Sequence, residues 1–158
     1  MDYLVVKWIH VISSTVLFGT GIGSAFYLLV STLERDARVV AAVARQVVRA
    51  DWLFTATTAL LQPLTGAWLV HKAQLPWSTP WIAWSTGLYA VAIACWLPVV
   101  WIQLRLRDEA QACAAAGQPL SPAYRRFFAW WVALGFIAFF AFLAIFWLML
   151  AKQFPWGS

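Results

Sequence analysis

Apolar residues along this chain form four long runs, separated by short polar or basic segments. Each run is long enough to cross the hydrocarbon core of a bilayer, which takes about 20 helical residues. No run alternates apolar and polar positions with the period of a barrel strand, so we expect helices. The pattern predicts an all-α membrane protein, a four-helix transmembrane bundle with helices at about residues 3–33, 52–71, 80–104 and 124–151.

The composition also indicates a membrane protein. Of the 158 residues, 63% are hydrophobic and 11% are charged, and the mean hydropathy is +0.75, whereas soluble domains carry about 25% charged residues. The first apolar run is too long for the core of a cleavable signal peptide and has no basic segment before it, so we expect it to remain as an anchor. We interpret residues 1–158 as one transmembrane domain in contact with the lipid bilayer.

The distribution of basic residues predicts the orientation in the membrane. Eight of the eleven Lys and Arg residues lie in or beside the segments that follow the first and third helices, and short loops rich in these residues stay in the cytoplasm. We therefore expect both long loops in the cytoplasm and the N- and C-termini on the opposite side of the membrane. The net charge of +5 follows from this bias and requires no nucleic-acid partner.

Polar side chains recur on one face of the second helix. Asp51, Thr55, Thr58, Gln62 and Thr65 are spaced by three or four residues, which places them on one line; we call this set the polar stripe. The corresponding faces are His10, Ser14, Leu17, Gly21 and Ser24 on the first helix, and Ser85, Tyr89, Ala92, Trp96, Val99 and Gln103 on the third. We expect these three helices to share a weakly polar centre, which the aromatic and aliphatic fourth helix closes.

Three local features bear on the shape of the bundle. Segment 34–51 places arginines among valines and alanines at helical spacing, so it either extends the second helix or lies on the membrane surface. Gly19 and Gly23 favour close helix packing, the alternative being a backbone surface that admits a flat ligand. Pro63 is expected to kink the second helix beside the polar stripe, where a cavity can form.

Four segments of the chain resemble a known bacterial family. They are KWIHVISSTVLFGTGIGSAFYLL, VRADWLFTATTALLQPLTGAWLV, STPWIAW…LYAVAIACWLPVVWIQLRLRD and YRRFFAWW…FWLMLAK. Over nearly its whole length the chain resembles the integral-membrane family called domain of unknown function 2269. That family is distantly similar to the copper-resistance membrane protein CopD and to HemJ, a haem-binding protoporphyrinogen oxidase with a histidine near the start of its first membrane helix. The similarity to HemJ implies that His10 is a haem ligand.

A b-type haem needs an imidazole for the iron, an apolar slot for the macrocycle and cations for its propionates. His10 as the metal ligand, the glycine face around Gly21, and Lys7 or Lys72 can supply these groups. The other residues that we assign to the cofactor site are Ser14, Gln62, Tyr89 and, as a second iron ligand, His71.

Two arrangements are open for the second iron ligand. His71 follows Gln62 by nine residues, which places it on the opposite face of the helix from the polar stripe. A five-coordinate haem b and a bis-histidine haem b therefore both remain open.

These features predict a haem-binding inner-membrane redox protein, either a tetrapyrrole-associated or a quinone-linked oxidoreductase. In the alternative, His10 only bonds a backbone carbonyl or Tyr89 and joins two helices. The protein is then a non-catalytic structural or accessory subunit of a homo-oligomer or larger membrane complex, or a small-molecule transporter. No catalytic residue is assigned, because the chain shows no paired membrane carboxylates, no Ser, His and Asp set and no phosphate loop. With two methionines, it is also poor in the soft ligands that copper prefers.

The predicted orientation can be measured with reporter fusions. A fusion after Ser158 is expected to be active in the periplasm, and fusions near Gln111 or Gln118 in the cytoplasm, because the arginine-rich loops stay inside. Alkaline phosphatase and green fluorescent protein activities report the two sides. The reverse pattern would show that basic residues do not set the orientation of this chain.

Overall fold

The computed structural model describes residues 2–152, and in that range the chain is helical, with no β-strand. A π-helical turn at Asp51–Thr55 joins the second and third α-helices into one continuous rod. The helices are α1 (Tyr3–Glu34), α2 (Ala37–Ala50), α3 (Ala56–Lys72), α4 (Pro80–Ala115) and α5 (Pro122–Ala151).

Four segments are long and apolar enough to cross a membrane: α1, the continuous rod 37–72, α4 and α5. This confirms the predicted all-α, four-helix membrane architecture. Large apolar side chains such as Leu4, Leu60 and Leu150 are exposed on the outside of the bundle, where a lipid solvent covers them at no cost.

The helix starts follow from local sequence. The carboxylates of Asp2 and Asp36 accept hydrogen bonds from the backbone N–H groups of Leu4 and Arg38, at 3.2 and 2.8 Å. Such caps satisfy N–H groups that have no partner within the helix. Pro80 and Pro122 occupy the first positions of α4 and α5, where a missing N–H costs nothing.

The basic segment 34–51 extends the second membrane helix, the first of the two predicted alternatives. A break of two residues at 35–36 separates α1 from α2, and α2 buries Val40, Ala41 and Ala44 while its arginines remain exposed. α4 continues to Ala115, beyond the predicted end at residue 104. Both extensions exist because they pack against each other.

The largest apolar core lies at the loop end of the bundle, which we define as the end that carries the α1–α2 and α4–α5 connections. Its largest fully buried side chains are Leu28, Val40, Leu106 and Tyr124. The Tyr124 hydroxyl lies 2.8 Å from the Thr32 hydroxyl, so this core also ties α5 to α1. The opposite end of the bundle, which carries the start of α1, is called the terminal end.

The predicted interior faces are confirmed for the polar stripe and for α4. On α1 the buried face is rotated from the predicted one. All five residues of the polar stripe are buried, and on α4 the residues Ser85, Ala92, Val99 and Gln103 are buried as well. On α1 the buried line is instead Val6, Ser13, Leu17, Leu28 and Ser31. Ser13 therefore takes the place predicted for Ser14, because α1 packs on α3 with the adjacent edge of its polar face.

α5 closes the bundle through aromatic contacts, as predicted. Phe18 of α1 stacks on Phe139 with ring centroids 5.6 Å apart and meets the edge of Phe146 at 5.1 Å. Phe142 also contacts both Phe18 and Tyr89. Aromatic pairs at these distances add stabilisation beyond their buried area.

The glycines of α1 do not serve the close helix packing that the sequence predicts. A Cβ atom added to Gly19, Gly21 or Gly23 would meet no heavy atom of another element within 4 Å. A glycine that mediates a tight crossing has a neighbouring helix against its Cα. These glycines therefore leave open space beside α1, and they do not bring a neighbouring helix close to it.

The structure accommodates Pro63 in a continuous helix. α3 runs through Pro63 without interruption, and the departure from α geometry falls earlier, at Asp51–Thr55. Pro63 has no N–H to donate to the carbonyl of Ala59, one turn before it. The hydroxyl of Tyr89 in α4 donates to that carbonyl oxygen. Tyr89 thus satisfies an acceptor that lipid would leave without a partner.

This account predicts coupling between Tyr89 and Pro63. Tyr89→Phe should lower the free energy of unfolding by about 1 kcal/mol, because the buried Ala59 carbonyl loses its donor. In a Pro63→Ala background the new backbone N–H can reach Ala59, so the same change should cost less than half as much. SDS titration of the purified protein in mixed micelles measures all four variants of this cycle.

Tyr27→Phe is the matched control for this cycle, because Tyr27 is exposed on α1. Its hydroxyl makes no hydrogen bond to the residues that the structure describes. Equal costs for Tyr89→Phe in the two Pro63 backgrounds would refute the proposed compensation.

Candidate functional site

His10 lies half-buried between α1 and α3 in the terminal half of the bundle. Its Nδ1 atom is 2.7 Å from the hydroxyl oxygen of Thr65. The Thr65 hydroxyl is also 2.7 Å from the carbonyl oxygen of Leu61, to which it donates its only proton. A Thr65 hydroxyl that donates to Leu61 accepts from His10, and this arrangement places the proton on Nδ1 and leaves a lone pair on Nε2.

Gln62 holds the backbone beside this imidazole. Its amide nitrogen donates to the carbonyl oxygen of His10 at 2.8 Å and to the hydroxyl of Ser13 at 2.5 Å. The Ser13 hydroxyl in turn donates to the same His10 carbonyl at 3.0 Å. The side chain and the backbone of His10 are thus both tied to the polar stripe, which joins α1 to α3 in the apolar medium.

Gly66 provides the space that the imidazole ring occupies. A Cβ atom at this position would lie 3.3 Å from Cε1 and 3.9 Å from Nδ1 of His10. The first distance is tighter than an ordinary contact, so any side chain here would displace the ring. Thr65 and Gly66 together position His10, the first through its hydroxyl and the second through its missing side chain.

The His10 Nε2 atom makes no hydrogen bond to any residue between 2 and 152. Nε2 is therefore free to bind another group, while the other ring nitrogen, Nδ1, is hydrogen-bonded to Thr65. Histidines that bind a metal are held in this way, with the distal ring N–H donated to a neighbouring acceptor that fixes tautomer and orientation.

The other residues assigned to this site from the sequence are dispersed. Lys7 is exposed one turn before His10, and His71 is exposed near the end of α3. Ser14 donates to the carbonyl of Val11 within its own helix at 2.7 Å, and Tyr89 binds Ala59. Of the assigned neighbours that the structure describes, Gln62 is the one whose side chain donates a hydrogen bond to His10. The predicted alternative, a bond from His10 to a backbone carbonyl or Tyr89, is replaced by the bond to Thr65.

A second feature is a cavity of about 390 Å³ in the loop half of the bundle. Gly21 lines it, and Gly21 lies eleven residues after His10, about 16 Å further along α1. Residues of α1, α4, α5 and the rod 37–72 form its walls, which are mostly apolar. The cavity is therefore separate from the His10 cluster.

Several polar side chains reach the wall of this cavity. The indole N–H of Trp96 donates to the Asp51 carboxylate at 3.2 Å, and Thr55 lies beside that carboxylate. Gln103 and Trp131 complete the polar part of the wall. Asp51 and Thr55 sit in the π-helical turn, an irregularity that is frequent at functional sites.

Between residues 2 and 152 no three His, Cys, Asp or Glu side chains converge on a point that could hold a metal ion. A bare metal site built from protein ligands requires several such groups. A porphyrin differs because it supplies four nitrogen ligands itself and needs one protein imidazole. His10 therefore suits a metal centre in which the cofactor itself supplies most of the metal ligands.

Sequence reasoning missed several residues that matter here. Ser13 and Gly66 carry no signal beyond their position on a helix next to a predicted polar residue. Thr65 was recognised as part of the polar stripe, but its pairing with His10 depends on the relative depth of two helices. Trp131 carries no sequence signal that distinguishes it from the exposed Trp130 beside it, yet it is buried.

The fold and these two sites define a polytopic α-helical membrane protein with a polar centre. The family described as "Predicted integral membrane protein (DUF2269)" matches residues 4–153. The chain belongs to this family. No curated protein and no solved structure matches it.

The role of Gly66 can be tested by adding one methyl group. Gly66→Ala should lower the free energy of unfolding by about 1 kcal/mol, because the His10 ring must move away and its bond to Thr65 weakens. SDS titration in mixed micelles gives the free energy. Gly87→Ala is the control, since a Cβ atom there meets nothing within 4 Å and alanine favours the helix by up to about 1 kcal/mol. Equal changes for the two variants would contradict a tight fit at His10.

Proposed function

We propose that this protein is a haem-binding redox protein of a bacterial inner membrane, with His10 as the ligand of haem b iron. The observation that supports it is the orientation of His10. Its Nδ1 atom is engaged with the Thr65 hydroxyl, so Nε2 is the ring nitrogen that is available to a metal. A tethered imidazole in a membrane interior is costly, and such groups usually mark function.

The residues around His10 agree with one axial ligand from the protein. Haem brings four equatorial nitrogens and, when bound, supplies one-electron chemistry at its iron. His71 is exposed near the end of α3, so His10 would be the histidine that holds the haem. Lys7 is exposed one turn before His10 and is the nearest candidate on this helix to pair with a propionate.

A second candidate function rests on the same hydrogen bonds. His10, Ser13, Gln62 and Thr65 connect α1 to α3, which is what a purely structural histidine would do. The protein would then be a non-catalytic subunit of a larger membrane complex. The two candidates differ in one respect, because only haem binding uses Nε2.

Visible spectroscopy tests the haem proposal directly. Protein purified in mild detergent from haem-replete cells should show a Soret band that shifts on reduction with dithionite. His10→Ala should lose most of the bound haem, because no neighbouring side chain of α1 replaces the imidazole. His71→Ala is the matched control and should retain both haem and spectrum.

The oriented tautomer gives a finer test. Thr65→Val removes the acceptor for His10 Nδ1–H and should weaken haem binding by about 10-fold or more, the usual cost of losing such a partner. Thr57→Val is the control, because Thr57 is exposed and bonds only carbonyls of its own helix. A preparation that stays colourless after haem is added would refute the haem proposal. Loss of stability in His10→Ala would then support the structural candidate.

A further inference from the structure

The cavity in the loop half opens sideways toward lipid between α1 and α5. Ile22 and Phe26 of α1 and Phe136 of α5 line it, and all three are also exposed on the outside of the bundle. The outside of a membrane bundle at this depth faces the hydrocarbon chains of the bilayer. A hydrocarbon chain of a lipid can therefore enter the cavity without passing through water.

Two contacts between α1 and α5 limit the length of this opening. Toward the terminal end, Phe18 stacks on Phe139 with ring centroids 5.6 Å apart. Toward the loop end, the hydroxyl groups of Thr32 and Tyr124 lie 2.8 Å apart. Along α1 the two contacts are separated by about 21 Å, at 1.5 Å for each residue from 18 to 32. The opening is therefore elongated and runs parallel to the helices, as lipid chains do.

Two glycines widen the opening between these contacts. Gly21 of α1 and Gly135 of α5 line the cavity, and a Cβ atom on either would meet no heavy atom of another element within 4 Å. Gly21 follows Phe18 by three residues, and Gly135 precedes Phe139 by four. Because α1 and α5 are antiparallel, the two glycines lie at nearly the same depth, and together they leave room for a chain between the helices.

The deep part of the wall offers a ligand no free hydrogen-bonding group. Its side chains are mostly aliphatic or aromatic. The indole N–H of Trp96 is donated to the Asp51 carboxylate, and Thr55 lies beside that carboxylate. The indole nitrogen of Trp131 is enclosed by protein. This part of the cavity therefore suits hydrocarbon, which needs no partner.

A polar group without a partner lies at the loop side of the same wall. Gln103 of α4 lines the cavity and is buried, and its amide makes no hydrogen bond to any residue between 2 and 152. It follows Trp96 by seven residues, about 10 Å further toward the loop end. The cavity is thus apolar in its depth and polar toward the loop end. A phospholipid has the same polarity, with its ester groups nearer to water than its chains.

A basic side chain lies above the edge of the opening on α5. Arg125 is exposed, and the cavity-lining residues Val132 and Phe136 follow it by seven and eleven residues, so the three share one face of the helix. Arg125 is about 10 Å from Val132 toward the loop end. It forms no ion pair with any residue that the structure describes. Its guanidinium group is therefore available to a phosphate at the membrane surface.

We propose that this cavity binds one acyl chain of an anionic phospholipid from the leaflet at the loop end. The chain lies between α1 and α5 beside Gly21 and Gly135, an ester carbonyl accepts from the amide of Gln103, and the phosphate pairs with Arg125. Eight of the eleven Lys and Arg residues lie at this end of the chain's bundle, which favours an anionic over a zwitterionic lipid. The site is distinct from the His10 cluster and does not depend on haem binding there.

Photolabelling in phosphatidylcholine nanodiscs tests the chain site. The probe is a phosphatidylglycerol with a diazirine in one acyl chain, and mass spectrometry locates the labelled residues. Labels should concentrate on the cavity-lining segments of α1 and α5. Gly21→Leu fills the cavity and should lower this labelling at least about 10-fold by steric exclusion, while labelling of the exposed Leu60 stays unchanged. Gly19→Leu is the matched control, since Gly19 has equal free space but does not line the cavity.

The contact with the head group is tested by removing one charge. Arg125→Gln should lower cavity labelling by the phosphatidylglycerol probe about 5-fold, the worth of one basic residue at a membrane surface. Labelling by a phosphatidylcholine probe with the same chain should not change. Arg45→Gln is the control, because Arg45 is exposed on α2 and no residue of α2 lines the cavity. His10→Ala should be labelled as the wild type is, which separates this proposal from the haem proposal.

Three results would overturn the assignment. Undiminished labelling of the cavity in Gly21→Leu would place the acyl chain elsewhere. Equal labelling of the wild type by the two probes would show that the site does not select an anionic head group. A loss in Arg45→Gln as large as that in Arg125→Gln would show that only the overall charge of the loop end attracts the lipid.

Discussion

The requirement that polar groups find partners inside an apolar solvent organises this bundle. The polar stripe on the rod 37–72 meets it along its length. Asp51 accepts from Trp96, Gln62 donates to α1, and Thr65 pairs with His10. Between them the Ala59 carbonyl, freed by Pro63, accepts from Tyr89. Each bond draws α1 or α4 onto the same rod, so the rod acts as the axis of the molecule.

The two halves of this axis satisfy the requirement to different degrees. In the terminal half, His10, Ser13, Gln62 and Thr65 form a connected network, with one ring nitrogen left over. In the loop half, Asp51 pairs with Trp96 and interacts with Thr55, whereas the Trp131 indole has no hydrogen-bond partner among the described residues. Networks with every member paired hold a structure together. The haem proposal follows from the ring nitrogen that the network of the terminal half leaves unpaired.

Much of the architecture was predictable because the polar residues of a membrane helix face the interior of the protein and not the lipid. The polar stripe and the inner face of α4 follow from residue spacing alone, and the structure buries them as expected. The face of α1 was predicted one residue away, with Ser14 in place of Ser13. Its polar residues are spread over a wide arc, so their spacing does not identify the edge that meets α3. Gly19 and Gly23 were misread because a glycine pair looks the same beside a packed helix and beside empty space.

The sequence by itself determined the class, the number of membrane-spanning helices and the inward faces of two of them, since helix length and periodicity depend only on local composition and geometry. Only the tertiary structure decided that Thr65 orients His10, that Gly66 makes room for its ring, and that Tyr89 serves the carbonyl freed by Pro63. These pairings depend on the relative depth and rotation of helices that are distant in the chain. Packing of whole faces sets those two quantities, and no single residue encodes them.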